Sequence, residues 1–108
     1  SIAFWTWRLK QSRERFRIQA QQDALTGIAA RQHFMAEATA ALSECRRRGQ
    51  PAALVLIDLD HFKQINDVYG HVAGDDVLRQ AVTACRPRLG SGSVFGRLGG
   101  EEFGVLLP

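Results

Sequence analysis

The sequence predicts an α/β (α+β) sandwich in which helices flank a sheet containing an antiparallel element. Three observations lead there. The run Ala52-Ala53-Leu54-Val55-Leu56-Ile57 is apolar throughout and has the length of a strand covered on both faces. Helical patterns with one apolar face stand before and after it. Two strand-like runs, Val94–Leu98 and Phe103–Leu107, flank Gly99-Gly100-Glu101-Glu102 and read as a β-hairpin.

From Thr6 to Gln22 no Gly or Pro interrupts a stretch of good helix formers, which predicts a helix. Its apolar stripe, Leu9, Phe16, Ile18 and Ala20, is thin, so it suits pairing with a copy of itself in a coiled coil. Asp23 and Thr26-Gly27 break this pattern. A second helix is expected from Ala29 to Arg48, with Phe34, Ala38, Ala41, Leu42 and Cys45 on one face. Arg46, Arg47 and Arg48 in its last turn offset the helix dipole, and Gly49 is a suitable residue just past the end. The apolar run follows as the expected central strand, ending in Asp58-Leu59-Asp60. A short helix is expected over His61–Val68 and a longer one over Asp75–Leu89, with Val77, Leu78, Ala81, Val82 and Cys85 inward. Gly90-Ser91-Gly92-Ser93 then leads into the hairpin.

Composition bounds the function. With 108 residues, 45% hydrophobic and 23% charged, the chain fits one globular domain and excludes collagen-like, low-complexity and disordered classes. The basic surplus sits in residues 1–22, where Arg8, Lys10, Arg13, Arg15 and Arg17 face Glu14 alone, a net of +4. The remainder carries −1, so nothing in it neutralises phosphates along a duplex, and no nucleic-acid partner is expected. Cys45 and Cys85 form no metal-binding or redox motif and read as small apolar residues. No apolar run reaches the ~18 residues of a membrane-crossing helix. Phe4, Trp5 and Trp7 followed by Arg8 and Lys10 resemble the interfacial end of such a span, with an ordinary aromatic helix start as the alternative.

Asp58 ends an apolar strand, where open α/β sheets place ligands, and Asp60 shares its face while the chain stays extended. If the hairpin tip lies beside that end, Glu101 and Glu102 bring two further carboxylates. Such a group without matching cations is commonly held by a hard divalent ion, and magnesium, which prefers one or two carboxylates plus phosphates, points to a nucleoside triphosphate and attack at phosphorus. No P-loop is present. Phosphate contacts then come from backbone N–H groups near His61 and Phe62, with Lys63 as a point charge. Asn66 and Asp75 together match the edge of guanine, while turn or N-cap roles are the alternative for both and the preferred reading for Asp76.

The segments Asp23-Ala-Leu-Thr-Gly-Ile28, Ile57-Asp-Leu-Asp-His-Phe-Lys-Gln-Ile-Asn-Asp-Val-Tyr-Gly-His-Val-Ala-Gly-Asp75 and Arg97-Leu-Gly-Gly-Glu-Glu-Phe103 resemble, in order, those of the GGDEF family of diguanylate cyclase domains. The resemblance runs from Asp23 to Leu107, with the signature in its Gly-Gly-Glu-Glu-Phe form. It implies a palm-like nucleotidyl-cyclase sandwich with a mixed sheet, making cyclic di-GMP and pyrophosphate from two GTP in a symmetric dimer. By motif position it implies that Asp58, the Leu59 carbonyl, Glu101 and Glu102 ligate Mg2+ or Mn2+. Glu101 or a neighbour assists deprotonation of the 3′-hydroxyl, Asn66 and Asp75 read guanine, and Phe62 and Lys63 hold phosphates. Gly99 and Gly100 let the hairpin backbone approach the nucleotide, and His71 and Gly74 shape a turn.

Two departures stand out. Ala30-Arg31-Gln32 replaces the family's common Asn-Arg-Arg, and the inhibitory Arg-x-x-Asp falls on Gly90-Ser91-Gly92-Ser93, where it is absent. The expected organisation is a signalling helix over residues 1–22 and a partial GGDEF domain over residues 23–108, with the rest of the domain beyond Pro108. The expected setting is the cytoplasmic side of a bacterial inner membrane below a sensor domain, dimerised through the N-terminal helix, the piece itself being soluble. A GTP-binding regulatory domain without catalysis is the alternative, and a purely structural module is a distant third.

Overall fold

The computed structural model describes residues 2–8 and 21–108. Residues 2–8 are helical, with Ile2, Phe4, Trp5 and Trp7 exposed. Of the first helix expected over Thr6–Gln22, Thr6 to Arg8 are helical, while Gln22 forms an isolated bridge to Ala29 rather than helix, and the coiled-coil stripe from Leu9 to Ala20 lies outside the described residues. Among those described, no helix is long and apolar enough to cross a membrane.

Helix α1 spans Arg31–Arg48 and ends as anticipated: Gly49, left-handed at φ 66°, donates its N–H to the Arg46 carbonyl, and the Gln50 N–H reaches Cys45 at 2.8 Å. Arg47 and Arg48 both pair with Glu44, at 2.6 and 2.7 Å, so two of the three arginines are engaged within their own helix end. Strand β1 is Ala53–Asp58, α2 is Phe62–Tyr69 and α3 is His71–Cys85, followed by a 3-10 turn at Arg86–Arg88. Strands β2, Val94–Arg97, and β3, Glu102–Leu107, form the predicted hairpin.

The sheet order is β1-β3-β2, and both ladders are antiparallel. The parallel component of the expected mixed sheet is confined, among the described residues, to the bridge between Ala29 and Gly96. Alternation along the strands divides the core in two. On one face Phe34 of α1 packs with Val94 and Leu106, flanked by Ala38, Ala41 and Leu98. On the other, Leu78 and Val82 of α3 pack with Ile28 and Phe103, flanked by Ile57, Leu59, Phe62 and Phe95. Cys45 is buried and Cys85 partly so, both as free thiols.

Three expectations need correction. The central strand is β3, not β1, because the return strand of the hairpin inserts beside β1 and pairs with it along six residues. The apolar run is also not covered on both faces: Leu54 and Leu56 are 58% and 69% exposed, since α1 lies over β2 and β3. Finally, the long helix begins at His71, so Gly74, Asp75 and Asp76 are helical rather than turn or cap residues. The break lies at Gly70, whose φ of 90° and ψ of 164° separate α2 from α3 by a single residue.

Candidate active site

The β1–β3 register sets Asp58 directly opposite Glu102. Directly paired residues of antiparallel strands project to the same face, so the two carboxylates share one side of the sheet at the exposed end of β1. The next residue extends the pairing: the Leu59 N–H donates to the Glu101 carbonyl at 3.1 Å. Asp58, Glu102, Leu56, Ile57, Leu98 and Phe103 line a pocket of about 240 Å³ at this edge. None of Asp58, Asp60, Glu101 and Glu102 has an ion-pair partner among the described residues.

Glu101, half-buried just before β3, is not gathered with Asp58 and Glu102 into a three-residue group able to hold a metal, and no such group occurs among the described residues. Consecutive residues of an extended chain point in opposite directions, so adjacent glutamates do not converge by themselves. The turn is closed by the Leu98 and Gly99 N–H groups, which both donate to the Glu102 carbonyl, at 2.8 and 3.3 Å. Neither Gly99 nor Gly100 adopts the left-handed conformation, and a Cβ on Gly100 would meet open space. Neither turn geometry nor packing therefore demands glycine at position 100.

Behind this edge, the turn after β1 strains His61 into the left-handed region at φ 60° and starts α2, whose first residues are Phe62, half-buried, and Lys63, exposed. One turn on, Asn66 packs against Gly74 so closely that a Cβ on Gly74 would overlap Asn66 Oδ1 and stand 3.3 Å from Phe62 Cζ. Glycine at 74 thus serves close approach of two helices. Asn66 Oδ1 is buried and without a hydrogen-bond partner, a costly state for an amide oxygen. Asp75 follows Gly74 and is half-buried, whereas Asp76 is exposed and pairs with Arg79 at 3.1 Å.

The sequence reading missed Arg97 and its partner Asp23. The Arg97 guanidinium donates to the Gly99 carbonyl at 3.1 Å, to the Gly100 carbonyl at 2.8 and 3.2 Å, and to both Asp23 oxygens at 3.2 and 3.3 Å. Asp23 also accepts from the Thr26 hydroxyl at 2.6 Å and the Thr26 N–H at 2.9 Å. Partial burial opposes ionisation of Asp23, but the Thr26 hydrogen bonds and the Arg97 charge outweigh it and hold its carboxyl below the ordinary range. The available signal was an arginine two residues ahead of a glycine pair, together with Asp23 three residues before Thr26 in a turn pattern.

Comparison with known proteins places the chain in a family. Residues 20–108 match the family described as "Diguanylate cyclase, GGDEF domain". Diguanylate cyclase TpbB of Pseudomonas aeruginosa is 38% identical over 103 residues, covering 95% of this chain and 24% of that protein. The GGDEF domain of DgcB from Caulobacter crescentus, solved in complex with c-di-GMP, superposes with a TM-score of 0.79 at 36% identity, over 83% of this chain and 51% of that one. The structure of the DgcB coiled coil and GGDEF domain gives 0.86 at 32% identity, over 98% and 56%. The chain thus spans about a quarter of the TpbB length and about half of these solved domains. Motif, fold and similarity agree that this chain belongs to the GGDEF family of diguanylate cyclase domains.

Proposed function

We propose that the chain forms part of the catalytic domain of a diguanylate cyclase, which joins two GTP molecules into cyclic di-GMP with release of pyrophosphate. The observation that carries this reading is the Asp58–Glu102 pair, two carboxylates fixed opposite each other at a strand end without a cation beside them. That donor set fits a hard divalent ion completed by substrate phosphates, since it offers oxygen ligands but no closed cage.

Asp58 and Glu102 would hold Mg2+ or Mn2+, and the ligand set implied by the resemblance adds the Leu59 carbonyl and Glu101, the latter standing apart from the other two carboxylates here. When bound, the ion supplies charge neutralisation on the triphosphate and stabilises the departing pyrophosphate. Lys63 and the Phe62 N–H hold phosphate oxygens at the start of α2. The open position at Gly100 and the small residue at Gly99 let the hairpin backbone lie against the nucleotide. Asn66 Oδ1, buried and unpartnered, takes a donor from guanine, and the Asp75 carboxylate accepts from the same edge. Glu101 receives the proton of the attacking 3′-hydroxyl as the new bond to the α-phosphorus forms. One chain positions one GTP, so two chains meet face to face, each supplying the nucleophile for the other's nucleotide.

In this reading residues 1–22 are a signalling helix that pairs two protomers, and residues 23–108 are the cyclase portion. The exposed aromatics at residues 4–7 beside Arg8 and Lys10 suit the cytoplasmic face of a bacterial inner membrane, below a sensor domain. The test is to supply the full-length protein with GTP and magnesium and to look for cyclic di-GMP by chromatography, beside a Glu101→Ala control. Product that disappears in the control supports the cyclase. A folded dimer that binds GTP without product favours a regulatory GTP-binding domain.

A further inference from the structure

Arg97 lies at the end of β2, one residue before the turn that carries the glutamates. Its three nitrogens reach two kinds of partner at once: Nε and Nη2 take the Gly99 and Gly100 carbonyls, and Nη1 takes Asp23. The Arg97 and Asp23 side chains are only 20% and 18% exposed, so this ion pair is shielded from the water and salt that weaken surface pairs. The planar guanidinium has a fixed fork geometry, so anchoring one arm on Asp23 sets the direction of the others.

Asp23 is itself immobilised. Its N–H donates to the Ile28 carbonyl at 2.7 Å, its carbonyl accepts from Gly27 at 2.8 Å, and its carboxylate accepts twice from Thr26. The same loop is pinned to β2 by the Arg97 N–H donating to the Ala29 carbonyl at 2.9 Å, and the Ala29 N–H donating to Phe95 at 3.2 Å. Arg31 adds a further tie by donating to the Leu98 carbonyl at 3.2 Å. The backbone that presents Glu101 and Glu102 is thus held by side chains from residues 23 and 97, although neither side chain contacts the carboxylates.

We infer that Arg97 is a positioning residue of the site, with Asp23 as its anchor: the guanidinium grips the two glycine carbonyls and thereby fixes where the following carboxylates are presented to metal and nucleotide. The inference rests on the cyclase reading of that site. It makes the location of the loop at residues 23–29 part of the active-site geometry. Glycines 99 and 100 have no side chains to steady the turn, and the fork does so from outside.

The experiment compares the full-length protein with Arg97→Gln, Asp23→Asn, the double variant and Arg97→Lys. In Arg97→Gln, kcat falls by ~10- to 100-fold, the scale of a misplacement of about an ångström, while KM for GTP moves less than about threefold. The magnesium concentration for half-maximal rate rises. Asp23→Asn loses less than Arg97→Gln, and the double variant loses no more than Arg97→Gln alone, since Asp23 acts through Arg97. Arg97→Lys keeps the charge without the fork and does not restore the rate. A purely structural role would lower the melting temperature without changing the magnesium requirement. Amide hydrogen exchange in a peptide covering residues 98–102 provides a readout independent of turnover: it accelerates in Arg97→Gln and in Asp23→Asn. Unchanged exchange there, or an unchanged kcat in a folded Arg97→Gln, overturns the inference. If the wild type makes no cyclic di-GMP, the cyclase reading fails, and the exchange measurement alone decides whether Arg97 holds the turn.

Discussion

Gly96 and Gly104 stand directly opposite each other across β2 and β3, and the Phe34 ring occupies the space that their missing side chains leave. A Cβ on Gly96 would lie 2.5 Å from Phe34 Cβ, and one on Gly104 would lie 2.8 Å from Phe34 Cζ. Contacts that short force the ring or the backbone to move. Gly96→Ala and Gly104→Ala are therefore expected to cost about 1–3 kcal/mol each by overpacking, and Phe34→Ala about 3–5 kcal/mol by leaving a cavity. Urea unfolding of the full-length protein measures both, and a Gly104→Ala variant of wild-type midpoint would show that the ring does not fill this slot.

Asp23 gives the fold a defined acid dependence. Its carboxyl ionises more readily in the folded protein than in the unfolded chain, so the folded state gains stability wherever the unfolded carboxyl is already ionised. That contribution is complete above the unfolded value, near 3.8, and is lost as pH falls below it through the lower folded value. The difference in urea midpoint between wild type and Asp23→Asn is expected to shrink as pH falls from about 5 to about 3. A difference that stays constant over that range contradicts the assignment.

The Gly74–Asn66 contact predicts a separation of stability from nucleotide recognition. Gly74→Ala adds a methyl where Asn66 Oδ1 now sits, so the amide must swing away although alanine itself favours helix. If Asn66 reads guanine as proposed, losing one or two hydrogen bonds to the base is expected to raise the KM for GTP roughly tenfold. The check is a GTP titration beside a thermal melt, and an unaltered KM in a folded variant would remove Asn66 from guanine recognition.

On the cyclase reading, residues 90–93 predict how the full-length protein responds to cyclic di-GMP. The Ser93 N–H closes a turn onto the Gly90 carbonyl at 3.2 Å, Gly92 is left-handed at φ 85°, and no charged side chain occupies these four positions. Added cyclic di-GMP is expected not to inhibit the full-length protein through this turn. Inhibition that competes with nothing at the GTP site and vanishes when the turn is altered would contradict the expectation.

What the sequence disclosed was local. The strand at residues 53–58, the hairpin around the glycine pair and the Gly49 helix end all follow from periodicity and turn chemistry within a few residues. The hairpin tip also lies beside Asp58, the condition on which the carboxylate reading depended. Strand order was not legible, because insertion of β3 between β1 and β2 depends on pairings made far along the chain. Gly74 looked like a turn residue, and only its packing on Asn66 explains a glycine inside a helix. The Asp23–Arg97 pair joins residues 74 positions apart, beyond any periodic signal.

Strand β3 pairs with both β1 and β2, which do not pair with each other, and it follows both in the chain. During synthesis β1 has no strand partner among the described residues until β3 emerges, and β2 has only its bridge to Ala29, so the three-stranded sheet assembles in one late event rather than strand by strand. Pairing β1 with β3 also requires closing the loop that contains α2 and α3, an entropic cost met before any ladder bond forms. Substitutions in the Glu101–Glu102 turn should consequently appear in the refolding rate more than in the unfolding rate. The turn that presents the carboxylates would then also set how soon the newly made domain becomes a sheet.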